Sequence, residues 1–319
     1  MTEIGGKSAN PGRYIVRICL AAVLACTLVS ACSVKRTAVN ILGDALSGGG
    51  GAYTSDNDPE LIREALPFGL KTYESLLDVS PKHEGLLLAA AKGFTAYAYL
   101  LQDEADRKDA TNLPAARALR KRARNLYLRG RDYALRGLAV SHADFTKRLR
   151  KNPAATLAKT KPENTPYLYW GGAAWAGALS AAKDDLNLML ELPLAAAMVR
   201  RSMELDQTYE QGAAHEFFIS YEGSRPGGDV AKAREHYTQA LALSGGNRSS
   251  VHLALAQAVV VKEQNATEFR NLLDKALKVD PDAIKEIRLA NYIAKRRALW
   301  LKSRIPDLFV VASAEESKR

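Results

Sequence analysis

Downstream of Ser80-Pro81, the apolar residues Leu86, Leu87, Ala90, Phe94, Tyr97 and Leu101 recur every three or four positions. That spacing places one stripe on a helix, and no stretch alternates with the period of two that a strand requires. Asp58-Pro59 reads as an N-cap followed by a proline at the first helical position, and Ser80-Pro81, Thr165-Pro166 and Asp280-Pro281 read as the same device. With Asn-Gly hairpin pairs also absent, the pattern predicts an all-α chain.

Three segments end a helix alike: Arg201 to Asp206, Tyr237 to Ser244, and Leu273 to Pro281. They recur at roughly 36–38 residues, near the ~34-residue tetratricopeptide period, which predicts a degenerate tetratricopeptide-like helix-pair array. Tyr73 to Pro81 reads as an earlier copy, whereas Asp103 to Pro166 does not fit the period. Stacked helix pairs expose a concave surface or enclose a pore-like cavity, because each hairpin packs only on its neighbours.

The N-terminus has another pattern. Lys7, Arg13 and Arg17 precede an apolar run from Ile18 to Leu28, about eleven residues against the roughly twenty that span a bilayer. Val29-Ser30-Ala31-Cys32 follows and resembles the lipobox of bacterial lipoproteins. The expected division is a lipoprotein signal peptide over 1–31, a flexible tether over 32–57 containing Gly48 to Gly51, a helical domain over 58–305 and a C-terminal tail over 306–319. Cys32 is the expected lipid attachment site. Ser33 stands where an aspartate resembles an inner-membrane retention signal, so the expected location is the outer membrane, facing the periplasm.

Cysteine and charge narrow the chemistry. The chain's three cysteines are Cys19 and Cys26 in the signal and Cys32 at its end, leaving the mature body no disulfide, thiolate metal site or cysteine nucleophile. The formal net charge is +10, and loss of the signal lowers it only slightly. Such a surface suits anionic lipid, acidic ligands or an acidic partner, and nucleic acid is not expected in the periplasm.

Candidate chemistry is sparse. His83, His142, His215, His236 and His252 include no i,i+3 or i,i+4 pair for a metal and read as structural. No phosphate loop or nucleophile elbow occurs, so no catalytic, cofactor or metal residue is assigned. Arg117, Arg120, Lys121, Arg122, Arg124, Arg129, Arg131 and Arg136 flank an apolar stripe of Leu119, Ala123, Leu126 and Ala134. They read first as a solvated face and second as a site for anionic lipid or an acidic partner. Tyr167, Tyr169, Trp170 and Trp175, with Tyr221, Glu222 and Arg225, combine large rings with a few polar groups and are the candidate ligand or partner residues. Core packing is the first reading of the aromatic run, and a ligand-lining role is the alternative.

Tyr169-Trp170-Gly171-Gly172-Ala173, Gly212 to Phe218, Arg225-Pro226-Gly227-Gly228-Asp229, Arg288-Leu289-Ala290-Asn291 and Arg296-Arg297-Ala298 resemble the TRAP-transporter-associated T-component family, called TatT. Ala65 to Lys71 and Leu86 to Ala91 extend the likeness through most of the mature chain. The resemblance implies a periplasmic lipoprotein of tetratricopeptide-like pairs around a pore-like cavity, tending to form trimers. It also implies docking to the solute-binding protein of a tripartite ATP-independent periplasmic (TRAP) transporter and handling of a hydrophobic or organic-acid ligand. A structural envelope lipoprotein or interaction scaffold, and a periplasmic enzyme, remain the other classes.

Overall fold

The computed structural model describes residues 36–48, 51–182 and 185–310. Every regular element among them is helical. The main elements are α1 (36–48), α2 (Gly51–Thr54), α3 (Pro59–Val79), α4 (Glu84–Lys108), α5 (Leu113–Ser141), α6 (Phe145–Lys151), α7 (Pro153–Leu157), α8 (Thr165–Ala181), α9 (Leu186–Met189), α10 (Leu192–Leu205), α11 (Ala213–Ser224), α12 (Val230–Ser244), α13 (Ser249–Leu255), α14 (Ala266–Lys278), α15 (Arg288–Ser303) and α16 (Ile305–Leu308).

Two apolar clusters organise these helices. In the first, Leu66, Leu87, Phe94, Leu101, Leu138, Leu168, Trp175 and Met198 bring together α3, α4, α5, α8 and α10. Ile219, Val251, Leu255, Phe269, Leu273 and Leu301 build the second from α11 and α13 to α15. Helix α15 closes one onto the other, since Leu289 and Ile293 enter the first cluster while Ala294, Ala298 and Leu301 enter the second. Burial on opposite sides of one helix removes apolar area from water at both.

Among the proline-marked starts, Asp58 is the cap the sequence leads one to expect: its Oδ1 accepts from the Glu60 and Leu61 amides at 3.0 and 3.1 Å. The other three are corrected. Helix α4 begins at Glu84 under His83, whose Nδ1 accepts the Leu86 amide at 3.3 Å. Asn164 precedes α8, with Thr165 already its first residue, and Asp280 sits in a turn well before α15. Proline disfavours the α region for its predecessor, yet Thr165 is helical before Pro166. Where the next helix begins is decided by the loop that follows.

The tether expected over 32–57 is also corrected. Residues 36–48 are helical. Ser80 Oγ donates to Asn40 Oδ1 at 2.6 Å, and a Cβ on Gly43 would lie 2.6 Å from His83 Nε2, so α1 is seated closely on the α3–α4 turn. Close helix contact uses a glycine as readily as a linker does. At the far end the tail expected over 306–319 contributes to the body through Phe309, which is buried with its ring 5.0 Å from that of Phe269. The signal segment and Cys32 lie outside the described residues.

The three similar segments close α10, α12 and α14, so one helix, α11 or α13, lies between successive copies. Ala240 and Ala276 occupy matching positions and are buried. We expect Ala240→Leu and Ala276→Leu each to overpack its contact and cost on the order of 1–3 kcal/mol. Chemical denaturation curves that overlay the wild type would sink the equivalence of these positions. The region that broke the period, Asp103 to Pro166, holds much of the α4–α5 hairpin, whose helices run 25 and 29 residues.

Candidate functional site

Helix α8 divides its aromatic residues between two directions. Tyr167 and Trp175, eight positions apart, share the buried face. Tyr167 packs on Gly137, where no Cβ would fit, and its hydroxyl donates to the Glu84 carbonyl at 2.7 Å. Trp175 is fully buried, donates from Nε1 to Glu191 at 2.9 Å, and has the guanidiniums of Arg131 and Arg150 at 4.9 and 5.4 Å from its ring centroid. Both are core residues, a correction to their selection as lining residues.

Tyr169 and Trp170 face elsewhere. Trp170 Nε1 donates to the Tyr209 hydroxyl at 3.1 Å, and Tyr169 stands edge-on to Trp170 and Tyr209 with centroids 5.3 and 5.7 Å apart. The Lys92 ammonium of α4 lies 5.5 Å from the Trp170 ring and 2.8 Å from Glu210, so the cation meets a π face and a carboxylate together. Arg248 donates to Glu216 at 2.9 and 3.1 Å and to the Glu210 carbonyl at 3.2 Å. Burial pushes the Tyr169 phenol well above its ordinary range, Arg248 opposes that rise, and Glu216 and Glu210 add to it.

The turn that delivers Tyr209 and Glu210 is unusual. Glu210, Gln211 and Gly212 all have positive φ, at 47°, 56° and 80°. Glycine adopts this region freely, whereas each non-glycine residue there costs of order 1–3 kcal/mol and persists only where surrounding contacts hold it. A Cβ on Gly212 would also lie 2.8 Å from the Leu243 side chain. The turn is held by the rings it presents to α8 and by Arg248.

Tyr99 extends the arrangement toward α15. The residue is 40% exposed, and desolvation pushes its phenol up to about 12, with Arg297 opposing and Asp103, Glu216 and Asp106 adding. The phenol is thus within electrostatic reach of α11 and α15 at once. Arg297 Nη1 donates to Asp103 at 3.1 Å and Nη2 to Asp106 at 3.0 Å. Its Nε and Nη2 also donate to Gln257 at 3.1 and 2.8 Å. Gln257 lies in a π-helical segment, Ala256–Val260, that continues α13. The wider turn re-aims side chains that a regular helix would place elsewhere.

Tyr221, Glu222 and Arg225 form a clasp instead. Arg225 lies over the Tyr221 ring at 5.0 Å and donates to buried Glu222 at 2.6 Å, and Glu222 also accepts the Asp229 amide at 3.2 Å. These contacts satisfy the α11–α12 turn from within. Of the seven candidates, only Tyr169 and Trp170 join the constellation with Lys92, Tyr99, Tyr209, Glu210, Glu216, Arg248 and Arg297, which lie on other helices and turns; Glu216 and Arg297 fall in segments that carry the family resemblance, and the others carry no local signal.

All five histidines have hydrogen-bond contacts: His83 with Asn40 and Leu86, His142 with Asn164, His252 with Tyr237, and His215 with His236. The last pair places two Nδ1 atoms 2.9 Å apart across α11 and α12, a meeting that spacing along one helix could not reveal. Desolvation lowers the pKa of both. No group of three or more His, Cys, Asp or Glu residues among the described residues could hold a metal. The basic run of α5 is also largely spoken for: Arg120 pairs with Asp106 and Asp109, Arg124 with Asp185, Arg129 with Glu74, and Arg131 with Asp132.

The model of the TRAP transporter T-component family matches residues 55–309. This chain belongs to that family. A protein of Treponema pallidum (strain Nichols), described as uncharacterized, is 29% identical over 317 residues, covering 92% of this chain and 98% of its own length. The T-component match runs from before α3 through Phe309 and so includes every residue of the Tyr99–Tyr169–Arg248–Arg297 constellation. A TRAP-associated role at the cell envelope follows from membership. No helix among the described residues is long and apolar enough to cross a membrane.

Proposed function

We propose that this T-component is a lipoprotein held by lipid on Cys32 at the outer membrane, facing the periplasm, where it docks the solute-binding protein of a TRAP transporter. Its helix pairs act as a tetratricopeptide-like array whose concave side takes a hydrophobic or organic-acid ligand, and it assembles as a homotrimer. The observation that carries this reading is Tyr99, a solvent-exposed aromatic among the charged groups of α4, α11 and α15. Rings with a few fixed charges are the composition of ligand sites. Trp170, Tyr169 and Lys92 extend the same lining toward the strained Glu210 turn.

Co-purification of the chain with its cognate binding protein tests the reading. At tens of micromolar, a range where weak docking still registers, the wild type should retain the binding protein or its ligand. Tyr99→Ala and Trp170→Ala should weaken ligand retention about tenfold or more, as truncation of a central aromatic contact does. Tyr221→Ala should leave retention within about threefold. Cys32→Ser should abolish labelling by a palmitate analogue. A wild type that captures neither protein nor ligand fails the transporter role and leaves a structural envelope lipoprotein, and turnover of a bound compound would make it an enzyme.

A further inference from the structure

Among the described residues, the α6–α7 corner carries a cluster of uncompensated positive charge. Lys147, Arg148, Lys151, Lys159 and Lys161 are all exposed, and none has an ion-pair partner among the described residues. The exposed acids of the same stretch are Asp144 and Glu163. This contrasts with α5, whose arginines are mostly bound to carboxylates. Positions 147 and 151 lie on the side of α6 opposite Phe145 and Leu149, which are buried, and 148 lies at the edge of that apolar face, so the apolar anchor turns the cations outward.

The corner's place in the fold gives the charge a direction. Asn40 of α1 meets Ser80 and His83 of the α3–α4 turn. Arg136 near the α5 C-terminus donates to the Pro81 carbonyl at 3.2 Å, and Tyr167 at the α8 N-terminus donates to the Glu84 carbonyl at 2.7 Å. The start of α1, the α3–α4 turn, the end of α5 and the start of α8 therefore meet at one end of the body. Helices α6 and α7 are the connection between the last two. Cys32 precedes this end closely, the few residues before Arg36 reaching at most ~14 Å when extended.

We propose that the α6–α7 corner is a second membrane contact, lying on anionic lipid headgroups and fixing the orientation of the body relative to the tether. The proposal rests on the lipid at Cys32, which brings this end of the molecule to the membrane. Exposed charges act over roughly a Debye length, ~8 Å at physiological ionic strength, and clustered Lys and Arg are drawn to anionic leaflets. An acyl tether plus a basic patch is a recognised combination of membrane signals. An acidic protein would satisfy the same charge, but the position of the corner beside the tether favours lipid.

The test is sedimentation of the full chain carrying Cys32→Ser, so that acylation is not needed for the readout. The vesicles are phosphatidylcholine alone or phosphatidylcholine mixed with phosphatidylglycerol. The expected result is stronger partition onto the anionic vesicles, lost in high salt. It should fall at least about tenfold in Lys147→Glu/Lys151→Glu/Lys159→Glu, with no change on phosphatidylcholine. Circular dichroism checks the fold of the triple variant, and the salt titration of the unsubstituted corner gives the same reading should that variant unfold. Equal partition onto both vesicle types, or a triple variant that still prefers anionic vesicles, overturns the proposal, and salt-sensitive capture of an acidic protein with no vesicle preference assigns the corner to that partner instead. Palmitate labelling of the wild type is scored separately: an unlabelled Cys32 removes the tether reading while sedimentation still decides the corner.

Discussion

Asp103→Asn is expected to lower unfolding stability by on the order of 3–5 kcal/mol, the cost of removing one member of a buried ionic group. The Asp103 side chain is fully buried in α4 and has three arginines around it, Arg296 and Arg297 from α15 and Arg107 from its own helix, at 3.2, 3.1 and 3.3 Å. Asparagine keeps the shape and removes the charge, leaving these guanidiniums close together without their common anion. Partial exposure of the arginines lets water screen some of that repulsion, so the lower end of the range is the better expectation. For a domain of this size it corresponds to a fall in Tm of roughly 6–12 °C. Because Asp103 joins α4 to α15, the loss should appear as separation of the two apolar clusters, read as early protease cleavage between them. A Tm within about 1 °C of the wild type would show that the ionic group contributes little.

Gly172→Val is the second large effect. A Cβ at Gly172 would lie 2.6 Å from both the Ala195 carbonyl oxygen and Val199 Cγ2, with the Val199 amide at 3.2 Å. A flexible side chain could move aside, whereas the α10 backbone cannot without shifting the helix. The expected cost is about 3 kcal/mol, the upper part of the overpacking range, since valine adds two further carbons beyond the clashing one. Gly51→Ala is the internal control, because a Cβ there meets nothing within 4 Å. It should be neutral or stabilise by up to about 1 kcal/mol through helix propensity. Equal midpoints in urea for Gly172→Val and wild type would mean that α8 and α10 do not approach this closely.

The contrast between α8 and the rest of the site explains what could be read early. Tyr169 and Trp170 were visible as rings beside small residues, and their neighbours Tyr167 and Trp175 looked the same. Which ring points into the core depends on where α5 and α10 lie, and that is not a local property. Tyr221, Glu222 and Arg225 carried the composition of a binding rim, yet Glu222 spends its carboxylate on Arg225 and the Asp229 amide. Tyr99, Lys92 and Arg248 gave no warning, being ordinary residues of amphipathic helices or the turns beside them.

By itself the sequence determined that this chain would be helical, that a short apolar run ending in Val29-Ser30-Ala31-Cys32 stands before the body, and which family it joins. Helical periodicity and motif spacing are properties of neighbours along the chain, so one strand of letters is enough to show them. Only the tertiary structure decided that α1 belongs to the body, that Arg120, Arg124, Arg129 and Arg131 of α5 pair with carboxylates while Lys147, Arg148 and Lys151 of α6 have no such partner among the described residues, and that Asp103 unites two lobes. Arg297 reaches Asp103 across 194 residues and Arg296 reaches Glu60 across 236. A charge is paired or free, and a ring buried or presented, according to what arrives from such distances, because screening and desolvation depend on the neighbours in space.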